Sequence, residues 1–74
     1  ILVIPKAHIE GVCGVTADNS AVVAHIFEVI PQIAKACGIT DYRVVSNNGK
    51  EAGQSVFHLH FHILGGKKLN VEMA

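Results

Sequence analysis

Three histidines spaced two apart, His58, His60 and His62, stand in the run Phe57-His58-Leu59-His60-Phe61-His62-Ile63-Leu64. Successive side chains on an extended strand point to opposite faces, so this spacing gathers the three imidazoles on one side. Phe57, Leu59, Phe61 and Ile63 fall on the other side, where they can form a core layer. A helix would scatter the same imidazoles around its circumference. Aromatic and aliphatic residues alternating with histidine fit a half-buried strand, and Gly65-Gly66 supplies its stop. Aligned imidazoles permit two chemistries. Two histidines at i and i+2 can reach one metal ion, or one histidine can act as a nucleophile held in place by its neighbours. A merely solvated strand face is disfavoured, because three of the chain's five histidines are concentrated here.

Gly53-Gln54-Ser55 lies just ahead of the histidines. Glycine lets the backbone approach a ligand, and the exposed amides of such a turn can accept an anion. Ser55 and Gln54 add a hydroxyl and an amide. Turns of this composition are common, but beside a histidine face this one points to a phosphate site. Neutral imidazole can attack phosphorus, and the phosphoramidate so formed is labile enough for water to cleave. One difficult displacement becomes two easier ones. The attacking ring needs one nitrogen aimed at phosphorus and the other tied down as a donor. Donors aimed at the non-bridging oxygens stabilise the developing charge.

These groups need a scaffold. Residues 1–4 form a short β-rich run, ended by Pro5, which donates no hydrogen bond. Lys6-Ala7-His8 is a connector in which His8 reads as a structural group, and residues 11–14 read as a glycine-punctuated loop. A helix begins near residues 16–20, with Thr16, Asp18 and Asn19 as candidate N-caps. Val22, Val23, Ile26, Phe27, Ile30, Ile33, Ala34 and Cys37 recur at three- and four-residue steps, and Gly38 is placed to end the helix. Pro31 removes one backbone hydrogen bond and should bend it. The stripe continues in phase across Pro31, so one bent helix is expected, with His25 exposed. A strand over 42–46 follows a turn at Thr40-Asp41. The polar loop 47–53 then connects it to the histidine strand as an antiparallel pair. The tail 67–74 has no clear period.

Seventy-four residues with zero formal net charge, 50% hydrophobic and 16% charged, bound the chain to one domain, residues 1–74. So apolar a composition implies surface covered by a partner subunit or by further chain. The opening Ile1-Leu2-Val3-Ile4 reads as a start in mid-strand, and hence as a piece of a longer domain. The charge balance argues against a general nucleic-acid-binding surface, and Lys67-Lys68 is too short to alter that. No apolar run approaches the roughly 20 residues of a membrane span, and no signal peptide is recognisable. Cys13 and Cys37 lie in no metal spacing or dense disulfide pattern, and read as reduced, partly buried thiols of a cytoplasmic protein.

The run His58-Leu59-His60-Phe61-His62-Ile63-Leu64 resembles the His-φ-His-φ-His-φ-φ pattern (φ apolar) of the histidine triad, or HIT, superfamily. Leu2-Val3-Ile4-Pro5-Lys6-Ala7-His8 resembles that family's strand-Pro-Lys-x-His segment. Gly53-Gln54-Ser55-Val56-Phe57 resembles its lead-in to the triad, and Leu64-Gly65-Gly66 its nucleotide-binding Hint branch. The resemblance implies an α+β fold with one long helix and an antiparallel sheet, five-stranded in the complete domain. This chain would be the C-terminal two-thirds, and two subunits would pair as a homodimer. It implies hydrolysis of purine nucleoside 5′-phosphoramidates or aminoacyl-adenylates to the nucleoside monophosphate, with no cofactor required and no metal.

By the same resemblance His60 is the nucleophile at the α-phosphorus, the carbonyl of His58 orients its ring, and His62 contacts the phosphate oxygens. Ser55 helps protonate the departing amine. Asn47 contacts the phosphate-ribose region, and Gly53, Gln54 and Val56 line the pocket. The family's ribose-holding acidic residue, its apolar base pocket, an auxiliary histidine and, in some relatives, a zinc-assisting Cys-x-x-Cys belong to a segment ahead of Ile1, so base preference is not written in this sequence. The tail lacks the tryptophan-containing ending of the eukaryotic members, which leaves leaving-group specificity open. Within the superfamily the alternatives are a dinucleoside-polyphosphate hydrolase or a nucleotidyl transferase, and Gly65-Gly66 disfavours the former. Outside it stand a non-catalytic scaffold, which has no need of aligned imidazoles, and a metal-binding protein, for which no carboxylate or cysteine lies nearby at ligand spacing.

Overall fold

Val22, Ile26, Ile30, Ile33 and Ala34 repeat at steps of three and four, and the chain is helical over Ser20–Ala36 (α1). The computed structural model describes residues 1–66. Asn19 occupies the N-cap position, but its side chain makes no capping bond to the helix. Instead Asn19 Oδ1 accepts from the Thr16 amide at 2.7 Å, and Nδ2 donates to the Gly14 carbonyl at 3.0 Å. The expected capping by Thr16 or Asp18 is thus replaced by a turn that closes back on the preceding loop. The other end follows the expectation. Gly38 adopts a left-handed φ of 72°, its amide donates to the Lys35 carbonyl, and that of Ile39 donates to Ala34, the paired bonds of a Schellman stop. Pro31 stays inside α1, which remains a single helix.

The buried stripe is narrower than the sequence pattern. Ile26, Ile30 and Ala34 are buried, whereas Phe27 is 49% exposed and Cys37 lies at the surface. These buried positions form a single i, i+4 row, the row that meets a narrow sheet.

That sheet has three described strands, β1 (Leu2–Val3), β2 (Tyr42–Val45) and β3 (Phe61–Gly65), in the order β1-β3-β2 with both pairings antiparallel. The histidine strand therefore lies in the middle. Leu2 faces His62 and Val3 faces Phe61 on one side; Val45 faces His62 and Tyr42 faces Gly65 on the other. Ile9, Leu59, Phe61 and Ile63 pack with Ile26 and Ile30 of the helix as the core. Single 3-10 turns lie at Val12–Gly14 and Lys50–Ala52. This is the α+β arrangement of one helix on an antiparallel sheet.

Four expectations need correction. The strand predicted across residues 57–64 is laddered only from Phe61. The burial alternation nevertheless reaches back to His58, with Leu59, Phe61 and Ile63 buried and the three histidines half-buried. Phe57 was assigned to the core layer but is 45% exposed. It lies beyond both ladders and beyond the Leu59 amide that bonds the Ile9 carbonyl, the last backbone tie into the core. Gly65 lies within the strand instead of stopping it, and Gly66, with φ 90°, makes the turn. Cys13 and Cys37 are both free thiols and both exposed, not partly buried. The tail 67–74 lies outside the described residues.

Candidate active site

The middle strand of the sheet delivers His62 with a neighbour on each side, but His60 falls one residue beyond the β1–β3 ladder and two beyond the β2–β3 ladder. Its ring is fixed locally. His60 Nδ1 lies 2.7 Å from the carbonyl oxygen of His58. A carbonyl can only accept, so Nδ1 carries a proton, and in the neutral ring the lone pair for attack is on Nε2. The His62 ring stands edge-on to it, with centroids 5.1 Å apart and planes at 82°. A third tie comes from the end of β2, where the Ser46 hydroxyl donates to the main-chain carbonyl of His60 at 2.7 Å.

The ring of His58 does not join this pair. Its Nε2 donates to the Pro5 carbonyl at 2.9 Å, and the ring stands edge-on to His8 at 5.3 Å. Four histidines therefore form two pairs, His60–His62 and His8–His58, and His58 meets the first pair through its carbonyl. His8, read from sequence as a lone structural histidine, has a histidine partner. Antiparallel pairing of β1 with β3 is the signal that could have found it, since that pairing lays the residues after β1 beside those before β3. Among the described residues, no three His, Cys, Asp or Glu side chains are placed to share one metal ion.

Beside the histidines, the polar loop after β2 is pinned by its own side chains. Gln54, only 5% exposed, donates from Nε2 to the Glu10 carbonyl at 2.6 Å and accepts the Gly49 amide at Oε1 at 2.8 Å. The Gln54 carboxamide, expected as a donor at the phosphate site, is thus engaged at both ends as a brace between two loops. Asn48, which the sequence did not single out, accepts the Cys13 amide at 2.9 Å and ties the same loops again. Gly11 is held beneath them, where an added Cβ would sit 2.6 Å from Asn48 Oδ1. Asn47 is half-buried, with Nδ2 4.0 Å from the place a Cβ on Gly53 would occupy. Gly53 itself has φ 96°, and Ser55 and Val56 follow it into solvent, Val56 at 64% exposure. The site combines an imidazole of defined tautomer, a second imidazole at its edge, and a glycine-bearing turn with an exposed hydroxyl.

Comparison with known proteins agrees with this geometry. Residues 1–69 match the HIT domain family model. An uncharacterized HIT-like protein of Chlamydia trachomatis is 49% identical over 67 residues, covering 89% of this chain and 60% of that protein. A counterpart from Chlamydia muridarum is 48% identical, with 89% of this chain and 53% of that protein covered. Among solved structures, a HIT family hydrolase from Clostridium thermocellum superposes with a TM-score of 0.93 at 37% identity, covering 99% of this chain and 65% of its own. A histidine triad protein from Clostridium difficile gives a TM-score of 0.87 at 45% identity, over 93% of this chain and 62% of its own. The chain thus spans 60% or less of the length of the two chlamydial relatives.

Proposed function

The chain belongs to the HIT domain family, and from that premise we propose that it is the histidine-bearing part of a nucleotidyl hydrolase. The substrates are purine nucleoside 5′-phosphoramidates or aminoacyl-adenylates, and the product is the nucleoside monophosphate. The observation that carries this reading is the 2.7 Å bond from His60 Nδ1 to the His58 carbonyl, which in the neutral ring puts the lone pair on Nε2.

In the first step Nε2 of His60 bonds to the α-phosphorus as the bond to the leaving group breaks. For a phosphoramidate the departing nitrogen takes a proton, supplied through Ser55, and leaves as an amine. His62 donates to the phosphate oxygens. In the second step water attacks phosphorus, the P–N bond to His60 breaks, and the nucleoside monophosphate departs with the ring restored. Asn47 and the turn at Gly53 line the phosphate side, with Gln54 bracing that turn. No step calls for a cofactor.

The protein acts in this proposal as a cytoplasmic homodimer on a small-molecule nucleotide. The exposed free thiols of Cys13 and Cys37 accord with a reducing compartment. Strand β2 is an outer strand among those described, open to pairing with a second copy. No helix among the described residues is long and apolar enough to cross a membrane.

The test is the intact mass of the protein after brief mixing with adenosine 5′-phosphoramidate in the presence of a chelator, quenched without acid. A nucleotidyl adduct mapping to His60 is expected. The substitution His60→Ala should abolish the adduct and lower kcat on the order of a thousandfold or more while nucleotide binding persists. Turnover that survives His60→Ala would overturn the assignment. Faster hydrolysis of a dinucleoside polyphosphate than of the phosphoramidate would move the protein to that branch of the superfamily.

A further inference from the structure

The residue that does the chemistry sits where the sheet no longer holds the backbone. The β2–β3 ladder runs from Tyr42↔Gly65 to Val45↔His62, and the β1–β3 ladder ends at Val3↔Phe61. Continued by its own register, the β2 ladder would bring Ser46 opposite Phe61 and Asn47 opposite His60, but the pairing stops first. His60 therefore has no ladder partner on either side. The chain there is held at three points: the Leu59 amide on the Ile9 carbonyl, the His60 ring on the His58 carbonyl, and the Ser46 hydroxyl on the His60 carbonyl.

Of these, only the Ser46 bond grips the main chain of His60 itself. It is 2.7 Å long, near the optimum for a hydroxyl donor, and both residues are half-buried. The Ser46 side chain takes over where the backbone ladder ends.

We propose that Ser46 is a positioning residue for the reaction of His60. By fixing the His60 carbonyl it sets the backbone from which the ring reaches back to His58, and so fixes both the Nδ1–H tautomer and the direction of Nε2. Ser46 touches no reacting atom in this scheme. Its effect falls on kcat, because a displacement of about 1 Å at an attacking group can cost on the order of a hundredfold in rate. The inference rests on the nucleophile assignment above, and its test includes a readout that does not depend on turnover.

Threonine and valine have nearly the same shape and differ by the hydroxyl, so Ser46→Thr and Ser46→Val isolate the hydrogen bond from the packing. In the intact protein, Ser46→Val should lower kcat for adenosine 5′-phosphoramidate by about tenfold or more with KM changed by less than about threefold, and Ser46→Thr should retain most of kcat. In parallel, the nitrogen-15 signals of the His60 ring should show one Nδ1-protonated tautomer in the parent and Ser46→Thr proteins, and a mixture in Ser46→Val. Thermal melts establish that both variants are folded. Equal kcat for the two variants, or an unchanged His60 tautomer in a folded Ser46→Val, would overturn the proposal. If the parent protein hydrolyses nothing yet the tautomer changes as expected, the functional reading fails and the positioning of the ring by Ser46 stands.

Discussion

Gln54 stands next to Ser55 and looks, as a residue type, like a ligand-facing amide, yet its work is internal. Its carboxamide joins the Glu10 carbonyl to the Gly49 amide from a position 5% exposed. A buried donor or acceptor left without its partner costs about 1–3 kcal/mol. Gln54→Ala should therefore lower unfolding free energy by about 2 kcal/mol, measured by urea denaturation, because both loops lose their brace at once. Gln54→Glu is the sharper variant: it keeps an acceptor for Gly49 and removes the donor to Glu10, placing two oxygens against each other. It should be at least as destabilising as alanine. If either variant melts with the parent, the brace contributes nothing and Gln54 is free to serve the ligand.

Among the elements, β3 is the one whose neighbours leave least room. At Gly65 an added Cβ would lie 2.6 Å from Ile39 Cγ2, 3.0 Å from the Asp41 carbonyl oxygen and 3.3 Å from Tyr42 Cβ. The chain entering β2 crosses directly over the end of β3, and only a residue without a side chain admits it. The Schellman stop of α1 aims that entering chain, because the Ile39 amide is bonded to Ala34. Overpacking of this kind costs about 1–3 kcal/mol. Gly65→Ala should lower stability by that amount in a thermal or urea melt. An unchanged melt would mean that the entering chain shifts freely and that the close packing there is incidental.

At the scale of the molecule, the described residues build one small core in which α1 covers one face of the sheet. Ile30 is 2% exposed and Leu59 is 1% exposed, and they are the largest fully buried side chains among the described residues. Truncating such a residue to alanine typically costs about 2–5 kcal/mol, against about 5–15 kcal/mol for an ordinary domain. Ile30→Ala should therefore remove a large part of the folding free energy and shift the urea midpoint down, although Ile30 is on the helix and the histidines lie on β3 and in the residues just before it. An unfolding free energy within about 0.5 kcal/mol of the parent would show that the helix–sheet contact is dispensable.

The alternation of Leu59, Phe61 and Ile63 with His58, His60 and His62, the 3.6-residue stripe of α1 and the Gly38 stop were all legible in the sequence. Each is a local periodicity or a backbone preference that neighbouring residues settle among themselves. The family motif around the histidines was legible for the same reason. What the tertiary structure alone decided is where each side chain found its partner. It divided four histidines into two pairs, turned Gln54 inward, left Phe57 in solvent, and brought Ser46 against the His60 carbonyl across 14 residues of chain. Those outcomes depend on where the ladders of the sheet end, and a ladder ends where two distant segments diverge, a property that belongs to the pair of segments and to neither sequence alone.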